Sequence, residues 1–205
     1  MAMATNTFVE LDLEDTCDLA DLTGVRFDLD TAREFALKLL SLICSSPPDY
    51  SLSDPLSTAI LVRYSRAFLS GVRKPLGDEA LQILTDEQRN QHEYLKDLRS
   101  KHIAHSVNCF EESVPVARYW VERVESEGIT SISCMHHRVI GLSEHNLNAV
   151  VELSNILLVF VDKRIKEEES RLLPIVRAMP INEVLAGKKP AIIPGRGPAD
   201  KRRRR

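Results

Sequence analysis

The chain has 205 residues, of which 43% are hydrophobic and 28% are charged, and its net charge is −3. This composition is typical of one globular domain with a core and argues against a disordered chain. It has no uninterrupted run of eighteen apolar residues and its acidic N-terminus lacks a secretory signal pattern, so neither a membrane span nor export is expected. The small net charge also argues against attraction of nucleic acid by the whole surface.

The cysteines and histidines predict no metal or disulfide framework. The four cysteines are scattered and form no C-x-x-C pair, which favours free thiols in a cytoplasmic protein. His136 and His137 lack a neighbouring carboxylate–histidine grouping, so no metal is expected there. The glycines form neither a dinucleotide fingerprint nor a P-loop, and no cofactor is expected.

The N-terminal part predicts an irregular lead-in followed by a helix. Residues 1–27 show no strong periodicity and are expected to form an extended or short-helical lead-in. Thr31 and Glu34 have the spacing of a capping box, which predicts a helix from there to about Cys44. The main domain is therefore expected to span residues 28–173.

Two further helices are predicted before the middle of the chain. Asp54-Pro55 places proline at the first helical position, and the apolar stripe that follows runs to Ser70-Gly71. Thr85 and Gln88 form a second capping box, which predicts a third helix through about Ser106.

The C-terminal half predicts a β-hairpin and one long helix. Pro115–Val124 and Ile129–Arg138 are rich in valine, isoleucine and aromatic residues around Glu127-Gly128, so the hairpin is expected within residues 114–138. Ser143 caps a helix to about Ser170, and its length suggests pairing with a second subunit. Prolines and glycines then predict an irregular basic tail over residues 174–205.

The third helix carries histidines on a face that should be apolar. Because burial of an unpaired imidazole is unfavourable, these histidines need partners, a solvent-lined cleft or a subunit interface. Core-edge histidines bonded to the backbone are the alternative interpretation. The stripe contains Gln88, His92, Leu95, Leu98, His102 and His105.

Leu98 to Ser106, read as LRSKHIAHS, resembles the R-x(4–6)-H motif of the HEPN superfamily, higher eukaryotes and prokaryotes nucleotide-binding. Arg99 and His105 are separated by five residues near the end of the predicted helix. The sequence of this segment is similar to that of abortive-infection-type and related uncharacterised HEPN-like proteins. The stretch from Arg63 to Phe68 on the preceding helix also looks like that group.

This resemblance implies a mainly α, HEPN-like helical bundle with a β-hairpin insertion before the last long helix. It further implies a homodimer in which two copies of the motif face each other, and in active members a metal-independent endoribonuclease. Arg99 would hold the phosphate and His105 would act as general acid or base. Six helical residues rotate a side chain by about 240°, so His102, midway between the two, is a second candidate catalytic residue.

Other residues are expected to contact RNA rather than react with it. Ser100 and Lys101 lie within the motif. Arg63, Arg66 and Arg73 fall at helical spacing with Ser70 and form a candidate phosphate-binding strip. A solvated face paired with the acidic lead-in is the alternative for that strip.

Three functional hypotheses follow. The first is an RNA-binding, defence- or toxin-type ribonuclease, with an antitoxin or other protein partner as a further candidate. The second is a catalytically inactive HEPN-like interaction and dimerisation module. The third is a DNA-associated accessory protein that uses the basic end, Lys201 to Arg205.

Overall fold

The computed structural model describes residues 8–11, 13–69, 71, 73–103, 111–138 and 141–187, and these are mainly helical with one small antiparallel sheet. The longer helices are α1 (Cys17–Ile43), α2 (Ser53–Arg66), α4 (Asp86–Leu98) and α6 (Glu144–Ala178), with short helices α3 (Asp78–Gln82), α5 (Val124–Glu127) and α7 (Ile181–Leu185). A π-helical turn, Arg99–Ile103, follows α4 directly. The sheet pairs β1 (Glu111–Arg118) with β2 (Ser131–Arg138). The mainly α class with a hairpin before the last long helix is confirmed.

The core lies between α1, α2, α4 and α6. Helix α1 packs most extensively against α6 and next against α2, while α4 contacts both α2 and α6. Leucine, isoleucine, valine and alanine at three- and four-residue spacing supply the buried faces, as helical periodicity requires. The largest fully buried aromatic side chain is Tyr64 of α2.

The prediction of an irregular segment over residues 1–27 is wrong from Cys17 onward, where α1 begins. Thr31 lies inside this helix, and its hydroxyl donates to the carbonyl of Phe27 instead of capping a terminus. Asp21 and Asp28 belong to the buried face of α1. These two acids interrupt the apolar pattern that would otherwise have identified the helix.

The predicted start of the irregular tail at residue 174 is also wrong. Helix α6 continues through Pro174 to Ala178, and α7 follows. Leu172 is buried, and the Arg171 guanidinium donates to the carbonyl of Asp15 at 2.9 Å. These contacts hold the last turns of α6 against the segment that precedes α1. Residues 188–205, including the basic end, lie outside the described residues.

Other element predictions are confirmed with shifted bounds. Helix α4 begins at the Thr85 capping box, and Ser143 accepts from the amide of Asn146 at the start of α6. The second strand ends at Arg138 as predicted, but the first lies earlier than predicted. The hairpin connection contains two short helical turns and then Gly128, whose positive φ of 65° suits glycine.

Candidate functional site

The site is built on the inward face of α4. The capping box at Thr85 and Gln88 fixes the first turn, and Gln88 also donates to Glu152 of α6 at 2.6 Å. Leu95 and Leu98 are buried, so the face of α4 that leads to the motif packs in the core. The end of α4 therefore has a defined position relative to α2 and α6.

His92 is buried on this face, one of the histidines that the sequence placed there. Its Nδ1 lies 2.9 Å from the hydroxyl of Tyr64, and its ring packs edge-on against Phe68 at 4.3 Å between ring centres. Burial lowers the pKa of His92 to about 4, and burial likewise raises the pKa of Tyr64. His92 is consequently a neutral side chain of the core.

One nitrogen of His92 remains without a hydrogen bond. Nε2 is buried, and the nearest carboxylate, that of Glu93, is 3.7 Å away, which exceeds hydrogen-bond length. The expectation that these histidines need partners is thus met for one nitrogen of His92 only. His105 and the side chain of His102 lie outside the described residues.

The motif arginine lies where α4 changes to the wider π-helical turn. Arg99 is half-buried, and within the described residues its guanidinium makes no hydrogen bond or ion pair. Its neighbour Ser100 is also half-buried, whereas Lys101 is exposed and bonded to Asp97 at 2.6 Å. Turns of π-helix inside α-helices occur frequently at functional sites. Because its guanidinium has no partner among the described residues, Arg99 has N–H donors available for an anion.

The three arginines of the predicted strip do not share one helical stripe. Helix α2 ends at Arg66, and Arg73 lies in the connection after it. All three instead converge on the carboxylate of Asp28 in α1, which is 1% exposed. The Arg63 guanidinium donates to Oδ1 at 2.8 Å, Arg73 donates to Oδ2, and Arg66 Nε lies 3.5 Å from Oδ2.

This Asp28 cluster (Asp28 with Arg63, Arg66 and Arg73) ties the connection after α2 to α1. A side chain at position 24 would overlap the Arg73 guanidinium, so Gly24 makes room for that arginine. The amide of Lys74 also donates to Asp21 at 3.0 Å. The four side chains of the cluster carry three positive charges and one negative charge, and the Arg66 side chain is 50% exposed.

Sequence reasoning missed Asp28 and the Tyr64–His92 pair. Asp21 was assigned to the lead-in and Asp28 was placed before the predicted helix start, although their spacing of seven residues places both acids on one helical face. Tyr64 lies within the apolar stripe predicted after Pro55, but its hydroxyl partner is 28 residues away along the chain. Only spacing within α1 offered a usable signal.

The chain matches no protein-family model, no curated protein and no solved structure. Within the described ranges, no helix is both long and apolar enough to span a bilayer. The same residues contain no group of three or more histidine, cysteine or acidic side chains arranged to hold a metal ion. The motif and its geometry are therefore the basis for a functional proposal.

Proposed function

We propose that this chain is a cytoplasmic HEPN-like RNA-binding protein that acts as a dimer and cleaves RNA without a metal, with Arg99 and His105 as its reactive pair. The observation that carries the proposal is the Arg99 guanidinium, half-buried at the π-helical turn and unpaired within the described residues. A buried or half-buried cation usually has a carboxylate partner. A phosphate would be that partner here.

The chemistry requires one cation and one group that titrates near neutral pH. Arg99 offers a planar set of N–H donors to the phosphate oxygens, which gain charge in the transition state. His105 removes the proton of the 2′-hydroxyl, or it protonates the 5′-oxygen that leaves. The 2′-oxygen attacks phosphorus as the bond to the 5′-oxygen breaks, so no metal-bound water is needed. His102 is the second candidate for the acid or base.

Other predicted contacts fit a binding role that differs from residue to residue. Lys101 is exposed next to Arg99 and can approach a neighbouring phosphate, although Asp97 competes for its ammonium group. Arg66 is the most exposed arginine of the Asp28 cluster, and its 3.5 Å approach to Asp28 is the longest of the three. We assign Arg66, more than Arg63 or Arg73, to RNA contact.

The test is cleavage of total RNA in EDTA by the purified full chain. Arg99→Ala and His105→Ala are compared with Arg177→Ala and His145→Ala, which remove an exposed arginine and an exposed histidine elsewhere. Loss of one such transition-state donor reduces the rate by about 10²–10³-fold. We expect this loss in the two motif variants and wild-type cleavage in the two controls.

The inactive interaction module is the second candidate, and a defined outcome supports it. If the wild-type chain does not cleave RNA and all variants remain dimers, the result supports the interaction module and contradicts the ribonuclease. Equal cleavage by all four variants would indicate a contaminating nuclease and contradict the proposal. Deletion of Lys201 to Arg205 tests the DNA-associated alternative. That alternative predicts that the shortened chain binds DNA more weakly than the full chain.

A further inference from the structure

The β-hairpin is unusual in this molecule because none of its described strand side chains is buried. Ile132 is 81% exposed and Met135 is 51% exposed, and Trp120 and Val121 in the connection are also exposed. A two-stranded hairpin alone in water is marginally stable and needs further strands or a packed face. Among the residues that the structure describes, the hairpin therefore has neither a further strand nor a packed face.

The two outer edges of the hairpin differ in their protection against pairing with another strand. Edges are commonly protected by charge or proline. In β1, Glu111 and Glu112 supply charge and Pro115 lacks an N–H. From Ser131 to His137, β2 contains no proline, acidic residue, lysine or arginine. The free edge of β2 is thus the unprotected one.

Backbone direction shows which amides face that free edge. The carbonyl of Arg118 accepts from the amide of Thr130, so it points toward the second strand. The backbone N–H and C=O groups of successive strand residues alternate in direction, so those of Pro115 point away from β2. A strand tolerates proline at such a position. The backbone groups of Cys134, which is paired with Pro115, also point away from the partner strand. The outward amides of β2 are those of Ile132, Cys134 and His136.

We propose that the free edge of β2 pairs with β2 of a second copy of this chain and forms a four-stranded antiparallel sheet across a two-fold axis. The outward amides of β2 all belong to even-numbered residues, so the residue numbers of two hydrogen-bonded partners must add up to an even number. In a two-fold pairing, one residue must then lie opposite the same residue of the second copy. Cys134 or Met135 meets this condition near the centre of the strand. Over Ser131 to His137 no like charges then face each other, because this stretch carries no acidic residue, lysine or arginine.

The strand residues of this interface include neither Arg99 nor His105, and the interface is measured by assembly rather than by activity. Edge pairing uses the same self-complementary surface on both copies, which is the commonest symmetry of dimers. Absence of RNA cleavage would leave this inference intact, and loss of hairpin pairing would leave the chemistry of Arg99 and His105 to be judged by its own variants.

A matched pair of proline substitutions tests the proposal. His136→Pro removes an outward N–H from the free edge of β2, while Ser113→Pro removes one from β1 at the paired position. Both variants lose the same Ser113–His136 side-chain hydrogen bond of 2.9 Å. We expect His136→Pro to raise the dimer dissociation constant about tenfold or more by sedimentation velocity, and Ser113→Pro to leave it within about twofold.

Cross-linking decides the matter if His136→Pro does not fold. In a chain with Cys17→Ser, Cys44→Ser and Cys109→Ser, a short bismaleimide should join Cys134 to Cys134 of the second copy. A chain that retains only Cys44 is the control and should remain uncross-linked. Equal effects of the two prolines, or equal cross-linking of the two single-cysteine chains, would overturn the proposal.

Discussion

Two groups of arginines in this protein differ in what their guanidinium groups contact. In the Asp28 cluster, Arg63 and Arg73 donate to a carboxylate that is 1% exposed, and Arg66 lies within 3.5 Å of it. Arg99 is also half-buried but contacts no acceptor within the described residues. The difference shows that spacing along the chain does not reveal which guanidinium groups already have a carboxylate partner. Only the acceptor beside each guanidinium shows this.

Removal of the charge of Asp28 is expected to have the largest effect on stability. Asp28→Asn leaves three arginines without their buried anion, and we expect a loss of about 3 kcal/mol in the free energy of unfolding, because the arginines reach water and limit the cost. Urea denaturation measures this loss. Asp30→Asn is the control, since Asp30 pairs with Arg33 at 2.7 Å, its side chain is 38% exposed, and the pair should contribute under about 0.5 kcal/mol. Equal effects of the two variants would mean that the cluster is not structural.

Acid is expected to destabilise the protein through His92, which is buried in α4. The pKa of His92 is lowered from 6.5 to about 4 by burial. The unfolded chain therefore binds this proton below pH 6.5, whereas the folded protein binds it only near pH 4. The free energy of unfolding should fall by about 2 kcal/mol between pH 7 and pH 5.

A variant without a titrating group isolates this contribution. His92→Gln keeps a polar side chain opposite the Tyr64 hydroxyl, and its stability should change less between pH 7 and pH 5 than that of the wild type. Urea denaturation at several pH values gives both curves. Parallel curves for the two proteins would contradict a buried neutral His92.

Within the Asp28 cluster, the arginines should rank by their contact with the carboxylate. Arg63 donates at 2.8 Å and lies over the Phe27 ring at 5.7 Å, so Arg63→Ala should lower the free energy of unfolding by about 1–2 kcal/mol. Arg66 is half-exposed, and Arg66→Ala should lower it by about 0.5 kcal/mol. If Arg66→Ala were the more damaging variant in thermal and urea denaturation, the assignment of Arg66 to RNA contact would fail.

Arg99→Ala is expected to have the smallest effect on stability. Since no described acceptor loses a partner, the change in the free energy of unfolding should remain within about 0.5 kcal/mol. A loss comparable to that of Arg63→Ala would show that Arg99 is another structural arginine. Differential scanning fluorimetry of both variants under one condition makes the comparison directly.

Local chemistry correctly predicted the starts of α4 and α6 and the presence of the hairpin, although the same reasoning was wrong at Thr31. The Thr85 capping box and the Ser143 cap depend on a side chain and an amide three residues away, and both are present. The hairpin was recognised from β-branched and aromatic residues around Gly128, although the strand bounds moved. Its first strand was misplaced because Val121 and Val124 favour strands by type but lie in helical turns.

Of the candidate site, the sequence identified the arginines but not their partners. His105 and the side chain of His102 lie outside the described residues, so their predicted roles stay predictions. Arg63, Arg66 and Arg73 were grouped by spacing, and they do meet, but at an acid 35 residues or more earlier in the chain. Pairing between distant segments leaves no periodic trace.

The sequence alone determined the helical class, the caps at Thr85 and Ser143, the hairpin and the polar motif at the end of α4, because each depends on residues within a few positions of one another. The tertiary structure decided which face of α1 is buried and which arginines already have a carboxylate. Helix α1 extends to Cys17 because Asp21 and Asp28 are stabilised by groups from the connection after α2. Such stabilisation arises only when the chain folds back on itself, since buried charge requires a partner that local sequence does not contain.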